Sequence, residues 1–281
     1  MTGEDREAAP ATAAARWRRD LGSWAIPDEI LAAAPENPWT FPVELFVSRA
    51  VASTAHLTFS DEAAVVALAE GGSVLDVGCG AGGASMPLAS KAGLLIGVDD
   101  VPDMLDAFLE QARRRGVPAR TVRGRWPEVA AQTPVAHVAV CHHVAYNAPD
   151  LASFATALTE HARGRVVMEM TTEHPMSRLN PLWARFHGIT RPTRPTAMDA
   201  VAVLREAGLD VNWQQWEAPR PGGFRRKEDL VGWVRRLLCL PSERDPEVAQ
   251  ALAADVVEDG DLYGLPDRPV VTMWWAGTGP P

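Results

Sequence analysis

Val74-Leu75-Asp76-Val77-Gly78-Cys79-Gly80-Ala81-Gly82-Gly83 decides the reading of this chain. A short apolar run, the pattern of a buried strand, ends in a carboxylate and passes at once into a cluster of glycines. Gly78 and Gly80 allow a sharp turn and a close approach of backbone to a ligand, and the pattern beyond them predicts a helix over 83–91. Such a helix start offers free N–H groups and the positive end of a dipole.

Working outward, strand-like and helix-like segments alternate. Strands are expected at Ser73–Val77, Leu94–Val98, Ala119–Arg123, Ala136–Cys141, Arg165–Met170, Leu209–Trp216 and Pro269–Trp275. Helices are expected at Pro102–Arg115, Leu151–Ala162 and Ala197–Ala207, on apolar spacing such as Leu105, Phe108, Leu109 and Ala112. Repeated strand–helix units imply a mostly parallel α/β sheet with helices on both faces. Upstream, residues 17–72 read as an N-terminal helical cap, clearest at Val43–Ala55 and Asp61–Ala69, the latter with the capping signal Ser60-Asp61-Glu62. Residues 1–16 are Ala-, Glu- and Pro-rich without periodicity and read as a disordered arm. The remaining chain, 73–281, forms the main domain. Its long connections 171–195 and 218–267 follow strands, so they should emerge at the carboxyl end of the sheet, where open α/β sheets bind ligands.

The glycine turn leaves its ligand open. Gly78, Gly80 and Gly83 satisfy the dinucleotide pattern, and Asp99 lies 19 residues past Gly80, so a nicotinamide or flavin site fits by spacing. Asp76 argues against it, because a carboxylate just before the glycines repels a pyrophosphate. A ligand bearing an ammonium and a sulfonium is the better electrostatic match.

With these residues in place, the chain resembles the class I S-adenosylmethionine (SAM)-dependent methyltransferases, in their small-molecule branch. The likeness runs from about Ser73 to Met170 and more loosely to the end of the chain. It implies a Rossmann-like, doubly wound sheet of seven strands with helical insertions at its carboxyl end, and SAM as cofactor. By the resemblance, Asp76, Gly78, Cys79, Gly80 and Gly82 form the cofactor loop, and Asp99 takes the ribose hydroxyls. Asp100 and Met104, in Gly97-Val98-Asp99-Asp100 and Asp103-Met104-Leu105, lie near the adenine. Gly124-Arg125-Trp126 departs from the family's adenine-reading pair; Arg125 stacking on adenine and Trp126 covering it is one reading, Trp126 as a core anchor the other. Cys141 and His142, in Val140-Cys141-His142-His143, line the methionine part. His143, or His142, is the candidate catalytic base beside the methyl group, with His174 and His187 as alternatives.

Other chemistry finds less support. Asp150, Glu169 and Glu173 read as scattered carboxylates, so no metal is expected. No cluster of acids suggests a polyamine site. A net charge of −9 opposes phosphate backbones and counts against nucleic acid as substrate. No apolar stretch is long enough for a membrane span, and no secretory signal is visible at the N-terminus. The three widely spaced cysteines, Cys79, Cys141 and Cys239, fit a reducing, cytoplasmic setting. Aromatic residues of the insertions and cap (Trp24, Trp39, Phe41, Phe46, Trp183, Trp233), with Arg185, Arg191, Arg194, Arg225, Arg226 and Arg236, suit a small, partly apolar or aromatic acceptor. Oxidoreductase and non-catalytic SAM-binding readings stand as alternatives, and the oligomeric state is not legible.

Overall fold

The computed structural model describes residues 11–40, 42–218 and 223–280. Phe41 and the first ten residues of the expected arm lie outside the described residues, as does part of the second long connection, 219–222. The end of that arm is helical. Helix α1 (Ala13–Gly22) opens where the Thr12 hydroxyl accepts the Ala15 N–H at 3.1 Å. Both oxygens of Glu206 accept N–H groups of its first turn, from Ala13 and Ala14. The arm's Ala-rich composition concealed a helix held by a distant carboxylate.

Short α2 (Asp28–Ala32) and α3 (Val43–Ala52) follow, then α4 (Phe59–Ala67), begun by a capping box between Thr58 and Asp61. The alternating core then runs β1 (Gly72–Val77), β2 (Ala92–Asp99), α5 (Pro102–Arg114), β3 (Ala119–Arg123), β4 (Ala136–His142), α6 (Leu151–Glu160) and β5 (Ala162–Thr171). Beyond it come α7 (Asn180–His187), α8 (Ala197–Glu206), β6 (Asn212–Glu217), α9 (Lys227–Leu237), α10 (Asp245–Leu252), the ribbon β7 (Val257–Asp259) and β8 (Leu262–Gly264), and β9 (Pro269–Ala276).

Seven strands form one sheet in the order β3-β2-β1-β4-β5-β9-β6, with β9 antiparallel to both of its neighbours and the rest parallel. The sheet is therefore doubly wound, as the alternating pattern predicts. Its order reverses between β1 and β4, which opens a crevice at their carboxyl ends. One expected element is absent: residues 80–91 hold only a single 3-10 turn, Met86–Leu88, where a helix is expected over 83–91. Pro87 cannot donate a helical N–H, and Gly82 and Gly83 weaken the first turn.

The helical extension is distributed rather than gathered into one cap. Trp17 of α1 is buried in the core on one sheet face and donates its indole N–H to the Ala148 carbonyl at 2.8 Å. Helix α4 packs through Ala64 on the opposite face, with Leu68 just beyond its end joining the same core. Ile26, just before α2, joins a separate core with α7, α9 and α10. Both long connections thus contribute to one helical lobe at the carboxyl end of the sheet.

Candidate functional site

The glycine turn is pinned from below and from the side. Gly78, Gly80 and Gly82 have φ of +69°, +50° and +94°, a region where a side chain is strained. A Cβ on Gly78 would stand 2.3 Å from a Val144 methyl, and one on Gly80 3.1 Å from the Phe46 ring of α3. The close approach that sequence reading assigned to a ligand is here made by these two side chains. The turn's N–H groups are largely spent: Gly78 and Cys79 donate to the Val98 carbonyl, Gly80 to Asp99 Oδ2 at 3.0 Å, and Gly82 to the Cys79 carbonyl. With no α-helix behind it, the turn offers no helix dipole to a phosphate.

Two carboxylates flank the turn. Asp99 accepts Gly80 N–H on one oxygen and Val101 N–H on the other, which leaves each oxygen with a further lone pair to accept with. Asp76 is buried and accepts the Ser85 hydroxyl at 2.6 Å. Burial pushes its carboxyl up to about 7, and the nearby Asp99 adds to the rise. Neither has a cation within ion-pair distance among the described residues.

Next door, a polar row crosses the same sheet face. Glu169 of β5 pairs in register with His142 of β4 and Thr272 of β9. It is buried, and its Oε2 accepts the Ser60 hydroxyl from α4 at 2.6 Å. Ser60 also meets Thr272 Oγ1 at 2.6 Å, and Trp216 of β6 donates to that same oxygen at 2.8 Å. His143 bends into this row. Its φ of +62° is uncommon for any residue but glycine, and it brings Nε2 to 3.0 Å from Glu169 Oε1. Burial opposes ionisation of Glu169, but the imidazoles of His142 and His143 and the Ser60 hydroxyl outweigh it and pull the carboxyl down to about 2. An ionised Glu169 fixes the hydrogen of His143 on Nε2 and leaves Nδ1 as the acceptor.

Sequence reading singled out His143 and His142 but dismissed Glu169, the residue that holds His143. A signal was present: a carboxylate inside the apolar run Val166-Val167-Met168-Glu169-Met170 is costly unless paired. His142 has its Nε2 buried and, among the described residues, without a hydrogen-bond partner; burial holds its pKa below the ordinary imidazole value. Cys79, Cys141 and Met104 are buried around the turn, and all three cysteines are free thiols.

Other candidates fall elsewhere. Arg125 and Asp100 form an exposed ion pair at 2.9 Å. Trp126 donates its indole N–H to the Phe154 carbonyl at 3.1 Å and sets its ring edge-on to His161 at 5.0 Å, so it anchors α6 rather than covering an adenine. His174 stacks on Trp24 at 3.9 Å, and burial lowers its pKa to about 3, which makes it a poor base. His187 is tied through Nε2 to the Leu238 carbonyl in the helical lobe. Arg191 packs against Trp24 and Trp183 and donates to the Trp24 and Ala25 carbonyls, a structural clamp. Two surface recesses lie by α9–α10, at Lys227 and Pro246, and by Thr54 and Pro87; neither is lined by Gly80, over which Phe46 of α3 lies, or by His143. Among the described residues no group of three His, Cys, Asp or Glu is placed to hold a metal.

The arrangement tests well against SAM. Two carboxylates without cationic partners among the described residues, beside a turn with few free N–H groups, suit a ligand bringing an ammonium and a sulfonium; a pyrophosphate would find few donors and two negative neighbours. Comparison with known proteins agrees. A family model described as a methyltransferase domain matches residues 74–164, the segment from β1 to β5. No curated protein matches the chain. Among solved structures, the YcgJ protein of Bacillus subtilis is 15% identical with a TM-score of 0.51, over 79% of this chain and 98% of that one. Magnesium protoporphyrin IX methyltransferase of Synechocystis, solved with S-adenosylhomocysteine, is 14% identical with a TM-score of 0.47, over 94% and 93%. The oxidoreductase alternative finds no support in these comparisons. Residues 74–164 thus match a methyltransferase domain, and the sheet around them has the fold of the solved YcgJ structure.

Proposed function

We propose that this enzyme methylates an oxygen or nitrogen of a small, partly apolar or aromatic molecule, with His143 as general base. The observation that carries the proposal is the 3.0 Å contact between His143 Nε2 and Glu169 Oε1, one strand away from the glycine turn at the point where the strand order reverses. A base whose second nitrogen is held by a buried carboxylate keeps its tautomer and its aim, the arrangement that general-base catalysis requires. Nδ1 of His143 then removes the proton from the acceptor as its oxygen or nitrogen becomes the nucleophile.

Asp99 would hold the ribose hydroxyls with its remaining lone pairs, and Asp76 would steady the loop and balance the ammonium. The backbone of Cys141 and His142 would line the methionine part, with Met104 and Asp100 toward the adenine. When bound, the cofactor supplies a methyl carbon already activated by its sulfonium. The protein's contribution is alignment and a place for the proton. Phe46 and Val144, which press on the glycine turn, shift as the cofactor enters.

A non-catalytic reading draws on that same bulk over the turn, but it gives no reason for the strained His143 and its partner Glu169. For setting, three free buried cysteines support a cytoplasmic protein, and the net charge of −9 supports a partner other than nucleic acid. No helix among the described residues is long and apolar enough to cross a membrane.

The test uses SAM with an isotopically labelled methyl group and a library of small phenols, amines and aromatic acids, read by mass gain. Products are expected with the wild type and not with His143→Ala, while both bind S-adenosylhomocysteine equally. Wild-type turnover by His143→Ala would remove His143 as the base.

A further inference from the structure

Arginines in this chain are mostly accounted for. Arg194 is paired with Asp20 and Asp199, Arg235 with Glu36 at 2.6 Å and Asp245 at 3.0 Å, and Arg225 with Asp261 at 3.8 Å. Two others, Arg49 and Arg268, are half-buried, and neither forms an ion pair with a carboxylate among the described residues. Arg165 and Arg191 likewise lack a carboxylate and donate to backbone carbonyls, whereas Arg49 makes only a ring contact among the described residues. Charges withdrawn from water are normally paired, because desolvation is costly.

Their places in the fold converge. Arg49 lies on α3, one turn beyond Phe46, and its guanidinium sits 5.7 Å from the centre of that ring, which itself rests on Gly80 at the end of β1. Arg268 immediately precedes β9, at the carboxyl end of β5, where the Thr172 N–H bonds to the Pro269 carbonyl. It donates to the Pro175 carbonyl at 2.9 Å. Strands β4 and β5, which carry His143 and Glu169, lie between β1 and β9 in the sheet. In the order of the sheet the two cations therefore stand on either side of β4 and β5, Arg49 by the end of β1 and Arg268 at the start of β9.

Burial pushes Arg49 down to about 10, and the charge of Arg268 adds to the shift. Arg268 is lowered by burial too, although Tyr146 and Glu173 act the other way. Glu173 is engaged by the Ser177 hydroxyl at 3.0 Å and does not reach an ion pair with Arg268. A folded state that holds two like charges together without a counter-ion is spending stability on a ligand.

We propose that Arg49 and Arg268 form a carboxylate-binding subsite for the methyl acceptor, placing the acceptor's nucleophilic atom toward His143. The inference rests on the methyltransferase reading and narrows its substrate class to acceptors bearing a carboxylate, which planar guanidinium groups recognise well. The methionyl carboxylate of the cofactor is the other source of the same chemistry, and the experiment separates the two.

The probes are benzoate, benzamide, S-adenosylhomocysteine and 5′-methylthioadenosine, which lacks the amino-acid part. Benzoate added to protein saturated with S-adenosylhomocysteine should raise the melting temperature by roughly 3 °C or more at ten times its dissociation constant, at fixed ionic strength. Benzamide should not. R49M and R268M should each abolish the benzoate effect, R49K and R268K should retain part of it, and all four should bind S-adenosylhomocysteine as the wild type does. The methionine variants should also melt higher than the wild type without ligand. No benzoate effect on the wild type, or one that survives in the R49M/R268M double variant, overturns the proposal. A tenfold loss of S-adenosylhomocysteine affinity in R49M or R268M, with 5′-methylthioadenosine affinity unchanged, assigns the pair to the cofactor and also overturns it. Failure of the wild type to bind S-adenosylhomocysteine would sink the methyltransferase reading instead.

Discussion

The two halves of the crevice are built in different ways. On the β1–β2 side, the chemistry is local in sequence: Asp76, the glycines and Asp99 lie within one strand–turn–strand stretch, joined by the Asp99–Gly80 bond at 3.0 Å. On the β4–β5 side, one contact needs His143, Glu169 and Ser60, and its support extends to Thr272 and Trp216, from five different elements. The first half is a motif; the second is an assembly. Ligand-binding geometry that depends on backbone turns is written in contiguous residues, whereas proton-handling geometry here depends on which strands become neighbours.

The largest effect that sharpens this contrast belongs to the assembled half. His143→Ala should reduce turnover by about 10² to 10⁴, the usual range for a general base, with cofactor affinity unchanged. Glu169→Gln should follow in the same direction by a smaller factor and should change the pH profile of the rate, because the amide no longer sets the imidazole's tautomer. Steady-state rates and calorimetry on both variants check this. A Glu169→Gln enzyme with a wild-type rate and pH profile would reduce the row to a packing feature.

A second test falls on the motif half and uses pH. Asp76 titrates at about 7 in the folded state, because burial raises it, and near the ordinary carboxylate value when unfolded. Its contribution to stability is therefore full below about pH 4 and is lost as pH rises toward 7, by up to about 4 kcal/mol. The difference in unfolding free energy between Asp76→Asn and cofactor-free wild type should grow in favour of the variant across that window and then level off. Urea unfolding at several pH values measures it. A difference independent of pH would show that Asp76 is ionised throughout. Saturating S-adenosylhomocysteine, by bringing an ammonium near the carboxylate, should reduce the difference.

The smallest expected effect marks the boundary between the halves. Trp126→Phe removes a hydrogen bond to the Phe154 carbonyl and should cost about 1 kcal/mol of stability while leaving cofactor affinity unchanged. Denaturant titration and calorimetry decide it. Loss of affinity without loss of stability would return Trp126 to the adenine.

What could be read from the sequence follows the same division. Strand ends such as Ala119–Arg123 and the positions of the parallel strands were legible because apolar runs and glycine punctuation report burial directly. The helix expected over 83–91 was not, because its spacing is helical while Pro87 and the paired glycines break the hydrogen-bond ladder. The first turn of helix α1 was hidden for the opposite reason, being fixed by Glu206 from far along the chain, while its continuation from Trp17 fell within the expected helical segment. Glu169 announced itself only as a charge in a buried strand. Arg49 carried no local signal, since its setting depends on α3 lying over a turn more than thirty residues away.

The account's central claim is that the Asp76–Asp99 turn binds SAM and not a dinucleotide. Calorimetric titration of the wild type and Asp99→Ala with S-adenosylhomocysteine and NAD tests it most directly. Removing two charge-assisted hydrogen bonds, worth about 1.5–3 kcal/mol each, should weaken S-adenosylhomocysteine at least tenfold in the variant with the fold intact. NAD should bind neither protein. Binding of NAD to the wild type with an affinity matching that of S-adenosylhomocysteine would contradict the claim, and undiminished affinity in Asp99→Ala would remove Asp99 from the ribose.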